Sequence, residues 1–362
     1  MATTFKTFLN NDMVTSKTLL HEAIPLTGGL TSGTYADSNI KNYSHGVFQS
    51  IFDYPFLSSS ANHLYDVAVG YSTASLSSSA NVQNDKKVNI YYQMAQTLMG
   101  YSIQSDGNSA IRLFDKDGNF ATTADDQLNE VFFLNFSRML TKDEIQKGTF
   151  SITLLTGGNY DSGSHHSDFL ELRDTNAQND FRINSPAGEY GILKTFNSSS
   201  DGDFMMDGAV HRGTVSAGLI FYQAGVAVIT ASIFNNFTGS AFGHLPAQGS
   251  VTDVLRDSSI TGAIDSFRSR VKNISFNNTT ELNSTIYFCR ANHNEFNYSS
   301  NPTYLTSSQL VVKNKGEDTP VSYITSIGLY SADNELLAVA KLSEPIRKDP
   351  TTELTFRVRL DY

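Results

Sequence analysis

Leu354-Thr355-Phe356-Arg357-Val358-Arg359-Leu360-Asp361, near the end of the chain, alternates apolar and polar side chains without a break. Successive side chains of a strand point to opposite faces, so this stretch specifies one buried and one wet face. By the same patterning, strands are expected at about 282–290, 321–330, 335–342 and 353–361. The turn Ala332-Asp333-Asn334 joins the middle pair.

The same reading extends towards the start of the chain. Val131 to Phe136 reads as a short buried strand, and Phe150 to Leu155 as another. Phe114-Asp115-Lys116-Asp117-Gly118-Asn119 reads as a turn between strands. Two helices interrupt this pattern. Val88, Tyr91, Tyr92, Ala95 and Leu98 make one apolar face, with Asp85 and Gly100 placed as caps. Ile260, Ile264, Phe267 and Val271 make a second face, weakened by Gly262. Thr141 with Glu144 forms a capping-box pattern and predicts one helical turn at Thr141 to Lys147. The fold class that follows is mainly β, a β-rich α+β chain of antiparallel sheets or sandwich-like domains with a few short helices. Residues 1–45, with Pro25, Gly28, Gly29 and Gly33, are expected to be an extended arm lying on the fold or on a neighbour. Residues 46–250 are expected to form a β-rich domain with one amphipathic helix, and 251–362 a C-terminal antiparallel β domain. Neither an internal repeat nor sustained heptads appear, which excludes a fibre shaft.

Composition narrows the function. The 362 residues are 40% hydrophobic, and 24 Phe with 17 Tyr and no Trp supply most of the core area. A formal charge of -10, with acids and bases scattered, lacks the clustered cations that phosphate binding needs, so no nucleic-acid partner is expected. Cys289 is the only cysteine, so no internal disulfide forms, and its flanking Ile286, Tyr287 and Phe288 place it on a strand as a buried, inert thiol. No signal peptide is read in residues 1–20. Ser216 to Phe234 carries no charge over 19 residues, near the length that spans a bilayer. Its apolar residues fall in two clusters around Gln223-Ala224-Gly225, so two core strands are expected and no stable membrane insertion.

Motifs for chemistry fail one by one. His165, His166 and Asp168 sit on a Gly/Ser-rich loop without orderly ligand spacing. Asp115, Asp117 and Asn119 resemble part of a calcium loop, but Gly118 precedes the third ligand and Asp126 stands where a bidentate Glu belongs. Gly-x-Ser-x-Gly, Walker and dinucleotide patterns are missing. No catalytic residue, metal or cofactor is therefore assigned, and an enzyme is not expected. The polar segment Arg290 to Thr306 offers Phe296, Tyr298, Asn301, Pro302 and Tyr304 as an assembly interface. A self-packed Ω-loop fits the same residues.

The run Asn294-Glu295-Phe296-Asn297-Tyr298-Ser299-Ser300-Asn301-Pro302-Thr303-Tyr304 resembles virion structural proteins of marine T-even-like myophages, including cyanophages. So do Tyr323-Ile324-Thr325-Ser326-Ile327-Gly328-Leu329-Tyr330, the ending Arg357-Val358-Arg359-Leu360-Asp361-Tyr362, and the stretch from Asn42-Tyr43-Ser44-His45-Gly46 to Ser60-Ala61-Asn62-His63. The resemblance runs along most of the chain and carries no catalytic motif. It implies a structural subunit of a contractile-tailed phage particle, in the tail or baseplate, made in the host cytoplasm. Partners would be other virion structural proteins and symmetry-related copies of the chain. A receptor- or glycan-binding module of the tail is the alternative, and a neck or head decoration protein the second.

Overall fold

The computed structural model describes residues 5–25, 37–73, 82–103, 109–118, 127–155, 169–196, 204–206, 209–211, 213–234, 259–268, 270–298, 305–306, 309–310 and 319–362. The fold is mainly β, with antiparallel sheets and short helices, as the alternation and the short apolar runs predict. Two compact units form: Leu20–Thr280, and Met1–Leu19 together with Glu281–Tyr362. Strand β1 (Met13–Ile24) crosses from one set of residues to the other, and all of it but Ile24 is exposed.

In the larger unit, two meanders share one sheet. The first runs β2 (Ile40–Asn42), β3 (Phe48–Phe52), β4 (His63–Tyr71), β5 (Glu130–Phe136). The second runs β6 (Ser151–Leu155), β7 (Phe169–Arg173), β8 (Gly188–Phe196), β9 (Ser216–Phe221), β10 (Val226–Thr230), and its last strand docks antiparallel on β5. Helix α1 (Val82–Leu98) and helix α2 (Ile260–Arg268) explain why Val131 to Leu134 is a continuous apolar run, all of it buried. Phe132 and Phe133 are neighbours on β5 and so point to opposite faces. Phe132 stacks on Phe267 of α2 at 4.6 Å, while Phe133 meets Phe114 at 5.6 Å on the face where Gly70 lets the backbone of Tyr91 in α1 approach. With both faces covered there, these four positions call for no polar side chain, and the strand's polar residues, Glu130 and the exposed Asn135, lie outside that run.

Ser216 to Phe234 folds as expected into β9 and β10, all buried but Ser216 at the outer end, around a turn that ends at Gly225 with φ +67°. Among the described residues no helix is long and apolar enough to cross a membrane. Several details depart from the sequence reading. Asp85 lies in the first turn of α1, not at its cap, whereas Gly100 takes φ +74° just past the helix and donates to Ala95 and Gln96. The buried side of α1 is Asn84, Lys87, Ile90, Tyr91, Ala95 and Leu98, with Val88 and Tyr92 half-buried. Helix α2 ends at Arg268, and Val271 already belongs to the next strand. Ser259 caps that helix through its hydroxyl, which accepts from Gly262 N–H at 3.0 Å. The single helical turn is Arg138–Thr141, earlier than the capping box places it. Ile145 is fully buried, and seating it draws Glu144–Ile145 into a ladder with Asn278 and Thr279.

In the smaller unit, β11 (Val271–Ala291) contributes its residues from Glu281 onward, a strand more than twice the length expected. It pairs antiparallel with β14 (Leu354–Asp361), Val358 opposite Tyr287 and Phe356 opposite Cys289. The alternation of β14 behaves as read: Leu354, Phe356, Val358 and Leu360 are half-buried or buried, and Thr355, Arg357, Arg359 and Asp361 are exposed. Between these strands in sequence, β12 (Ser322–Tyr330) and β13 (Leu336–Lys348) form a two-stranded hairpin closed by Asn334 at φ +63°. Cys289 is on a strand but only half-buried, and burial with the nearby Asp12 charge pushes its thiol pKa up.

Candidate functional site

The polar segment after β11 is rich in Asn and short of apolar side chains, so it needs specific hydrogen bonds to hold a shape. It finds them in Lys348 at the end of β13. Lys348 is completely buried and donates to Asn297 Oδ1 at 2.7 Å, to the Asp349 carbonyl at 2.9 Å and to the His293 carbonyl at 3.3 Å. Burial lowers its pKa, while Asp349, Glu295 and Glu353 pull the other way. Asn297 completes the ring by donating to the His293 carbonyl at 2.8 Å. Ser322 donates to the Phe296 carbonyl, and Phe296 itself sits at φ +52°.

The chain's first described residues lie on the same unit. Lys6 pairs with Glu295, whose carboxyl is held below its usual range by that bond. Phe8 meets Tyr287 at 5.4 Å, Phe5 meets Tyr330 edge-on at 5.1 Å, and Arg290 pairs with Asp12. Of the proposed interface residues, Phe296 and Tyr298 are half-buried in this ordered loop. Asn301, Pro302 and Tyr304 lie outside the described residues, as do His165, His166, Asp168 and Asn119.

A different surface stands out by exposure. On the hairpin, Gly328 lies opposite Val339, and a Cβ there would come 2.8 Å from the Tyr330 ring and 3.2 Å from Leu336. Tyr330, Leu336 and Val339 therefore share one face around the glycine, extended by Phe5. Their relative exposures are 45%, 52%, 54% and 50%, and neighbouring Leu337 is 68% exposed. Sequence reasoning assigned the strand but not this face. Its signal was the unalternated Leu336-Leu337-Ala338-Val339, which puts apolar side chains on both sides of a hairpin. Among the described residues, the buried apolar members of the smaller unit are Ala291, Leu329 and Val358 alone.

The larger unit offers polar clusters with structural roles. Asp174 accepts from Gly148 N–H at 2.6 Å, Phe150 N–H at 3.0 Å and Tyr222 O–H at 3.2 Å. Burial pushes its carboxyl up to about 6 against those three bonds. It borders a surface depression of about 340 Å³ lined also by Arg173, Asn176 and Phe196, yet both of its oxygens are already engaged. Ser50 and His63 both bond Asp66 Oδ1. An activated serine needs its hydroxyl on the imidazole, and here the carboxylate stands between them. Asp115 accepts from Asp117 N–H at 3.1 Å, which makes this stretch an Asx turn. No group of three His, Cys, Asp or Glu placed to hold a metal ion occurs among the described residues.

No protein-family model, curated protein or solved structure matches the chain.

Proposed function

We propose that the chain is a structural subunit of a contractile-tailed phage particle, in its tail or baseplate, acting through contacts with other virion proteins and carrying out no reaction. The observation that carries this reading is the smaller unit, which leaves Phe5, Tyr330, Leu336, Leu337 and Val339 in water while burying little apolar surface of its own. Contiguous exposed apolar side chains rimmed by polar residues mark protein–protein contact sites. The loop pinned by Lys348 adds a rigid, polar flank, so a partner meets a preformed shape and little ordering entropy is lost on docking. The resemblance of Asn294 to Tyr304, and of the chain's ending, to myophage virion proteins supplies the setting.

Gold-labelled antibody on intact and on contracted particles of the encoding phage tests the reading by electron microscopy. Label at the tail end is the expected result. Label on the neck or head would keep the structural class and move the position. Purified particles in which fractionation finds none of the chain would overturn it.

A glycan-binding module is the second reading, favoured by a surface aromatic group in the larger unit. Tyr43, His45 and Phe48 pack within 4.8 to 5.1 Å of one another beside β2 and β3. Binding to host envelope polysaccharide that is lost in Tyr43→Ala would favour it over assembly.

A further inference from the structure

We infer that the apolar face around Gly328 docks a second copy of this same chain, an inference that rests on the assembly reading and names its first partner. Charge is the deciding observation. The larger unit holds sixteen basic against twenty-five acidic residues, whereas the smaller holds ten against eleven. Two copies approaching through their larger units meet like charge on like charge. The smaller unit is close to neutral, so its surface is where an acidic chain can meet itself without that repulsion.

The same unit supplies the attraction. Phe5, Tyr330, Leu336, Leu337 and Val339 present roughly 500 Å² of apolar surface at their observed exposures. With a polar rim that approaches the ~800 Å² per partner of a stable interface. A two-stranded hairpin is marginal alone in water, and a second copy laid on its outer face gives it the covered side that a lasting sheet needs. Lys341, opposite Ser326, and Glu335, beside Leu336, stand at the edge of the patch with opposite signs, so the rim favours neither a basic nor an acidic foreign partner.

Sedimentation velocity on the full-length chain, over a range of concentrations and at low and moderate salt, tests the inference. The chain is expected to self-associate with a Kd of about 1 μM or tighter. Association should strengthen several-fold as salt rises, because screening removes the repulsion between larger units and leaves apolar contact intact. The double variant Leu336→Glu, Val339→Glu should weaken association at least tenfold. Leu57→Glu, at a position 88% exposed in the larger unit, should leave it unchanged. Should the double variant fail to fold by circular dichroism, Tyr330→Ser serves instead. A wild-type chain that stays monomeric throughout overturns the inference, and so does a folded double variant that associates like wild type. If the monomeric chain still enters particles, only self-docking falls. If particles never contain it, the assembly reading falls with it.

Discussion

Lys348 gives a hydrogen bond to Asn297 at 2.7 Å from a position with no solvent exposure, and so ties the end of a hairpin to a loop fifty-one residues earlier in the chain. The ammonium has two carbonyls as its other acceptors, so all three of its protons are placed. A buried charge is tolerated only when it is met in this way. The loop that carries Phe296 and Tyr298 therefore owes its shape to a residue outside it.

Lys348→Met keeps the side-chain length but leaves Asn297 Oδ1 without its donor. Each orphaned buried acceptor costs about 1–3 kcal/mol. Proteolysis within 292–298 should accelerate by tenfold or more, with the larger unit's cleavage unchanged. Lys348→Arg should not rescue it, since a planar fork does not fit three acceptors arranged around a point charge. An unaltered cleavage rate in Lys348→Met would show that the loop holds itself.

Asp174 makes stability depend on pH. Its carboxyl is raised from 3.8 to about 6 in the folded chain, so between those values the folded state binds more protons than the unfolded one. Stability then falls as pH rises through that window, and the full difference is about 3 kcal/mol. Urea unfolding followed at pH 4.5, 5.5 and 7 should show this slope, flattened in Asp174→Asn. A variant with the wild-type slope would assign the effect to other groups.

Gly218 on β9 faces the backbone of β10, where an added Cβ would lie 2.2 Å from the Val228 carbonyl oxygen. Neighbouring backbone cannot yield as a side-chain tip can. Gly218→Ala should destabilise the larger unit by about 3 kcal/mol, near the upper end for overpacking. A shift in urea midpoint corresponding to less than about 1 kcal/mol would mean that the two strands separate more easily than the register implies.

Phe132 and Leu337 should respond to truncation in opposite ways. Phe132→Ala removes a ring stacked on Phe267 and should cost about 3–5 kcal/mol. Leu337→Ala, at a side chain 68% exposed, should change stability by less than about 0.5 kcal/mol yet, under the proposed assembly role, reduce incorporation into phage particles. Thermal melts and particle composition read the two effects separately. Normal incorporation of Leu337→Ala would remove that residue from the contact surface.

The alternation of β14, the paired runs of β9 and β10, the apolar run Val131 to Leu134 within β5 and the turn at Asn334 were all readable from residue order. Each is a local pattern, because the period of side-chain direction follows from backbone geometry alone. Strand ends were less legible. β11 runs to twenty-one residues because its two halves find different partners, Ser151–Leu154 for the first and β14 for the second, and pairing partners are remote in sequence. The same remoteness hid the candidate site. Nothing near Lys348 in sequence shows that Asn297 and His293 will surround it, and nothing near Lys87 shows that its ammonium will lie 5.9 Å from the Tyr71 ring. Residue order set the fold class and which side chains share a face. Which faces are covered was settled by folding, since burial depends on what arrives from elsewhere in the chain, and that separates the covered Phe132 and Phe133 from the open face around Gly328.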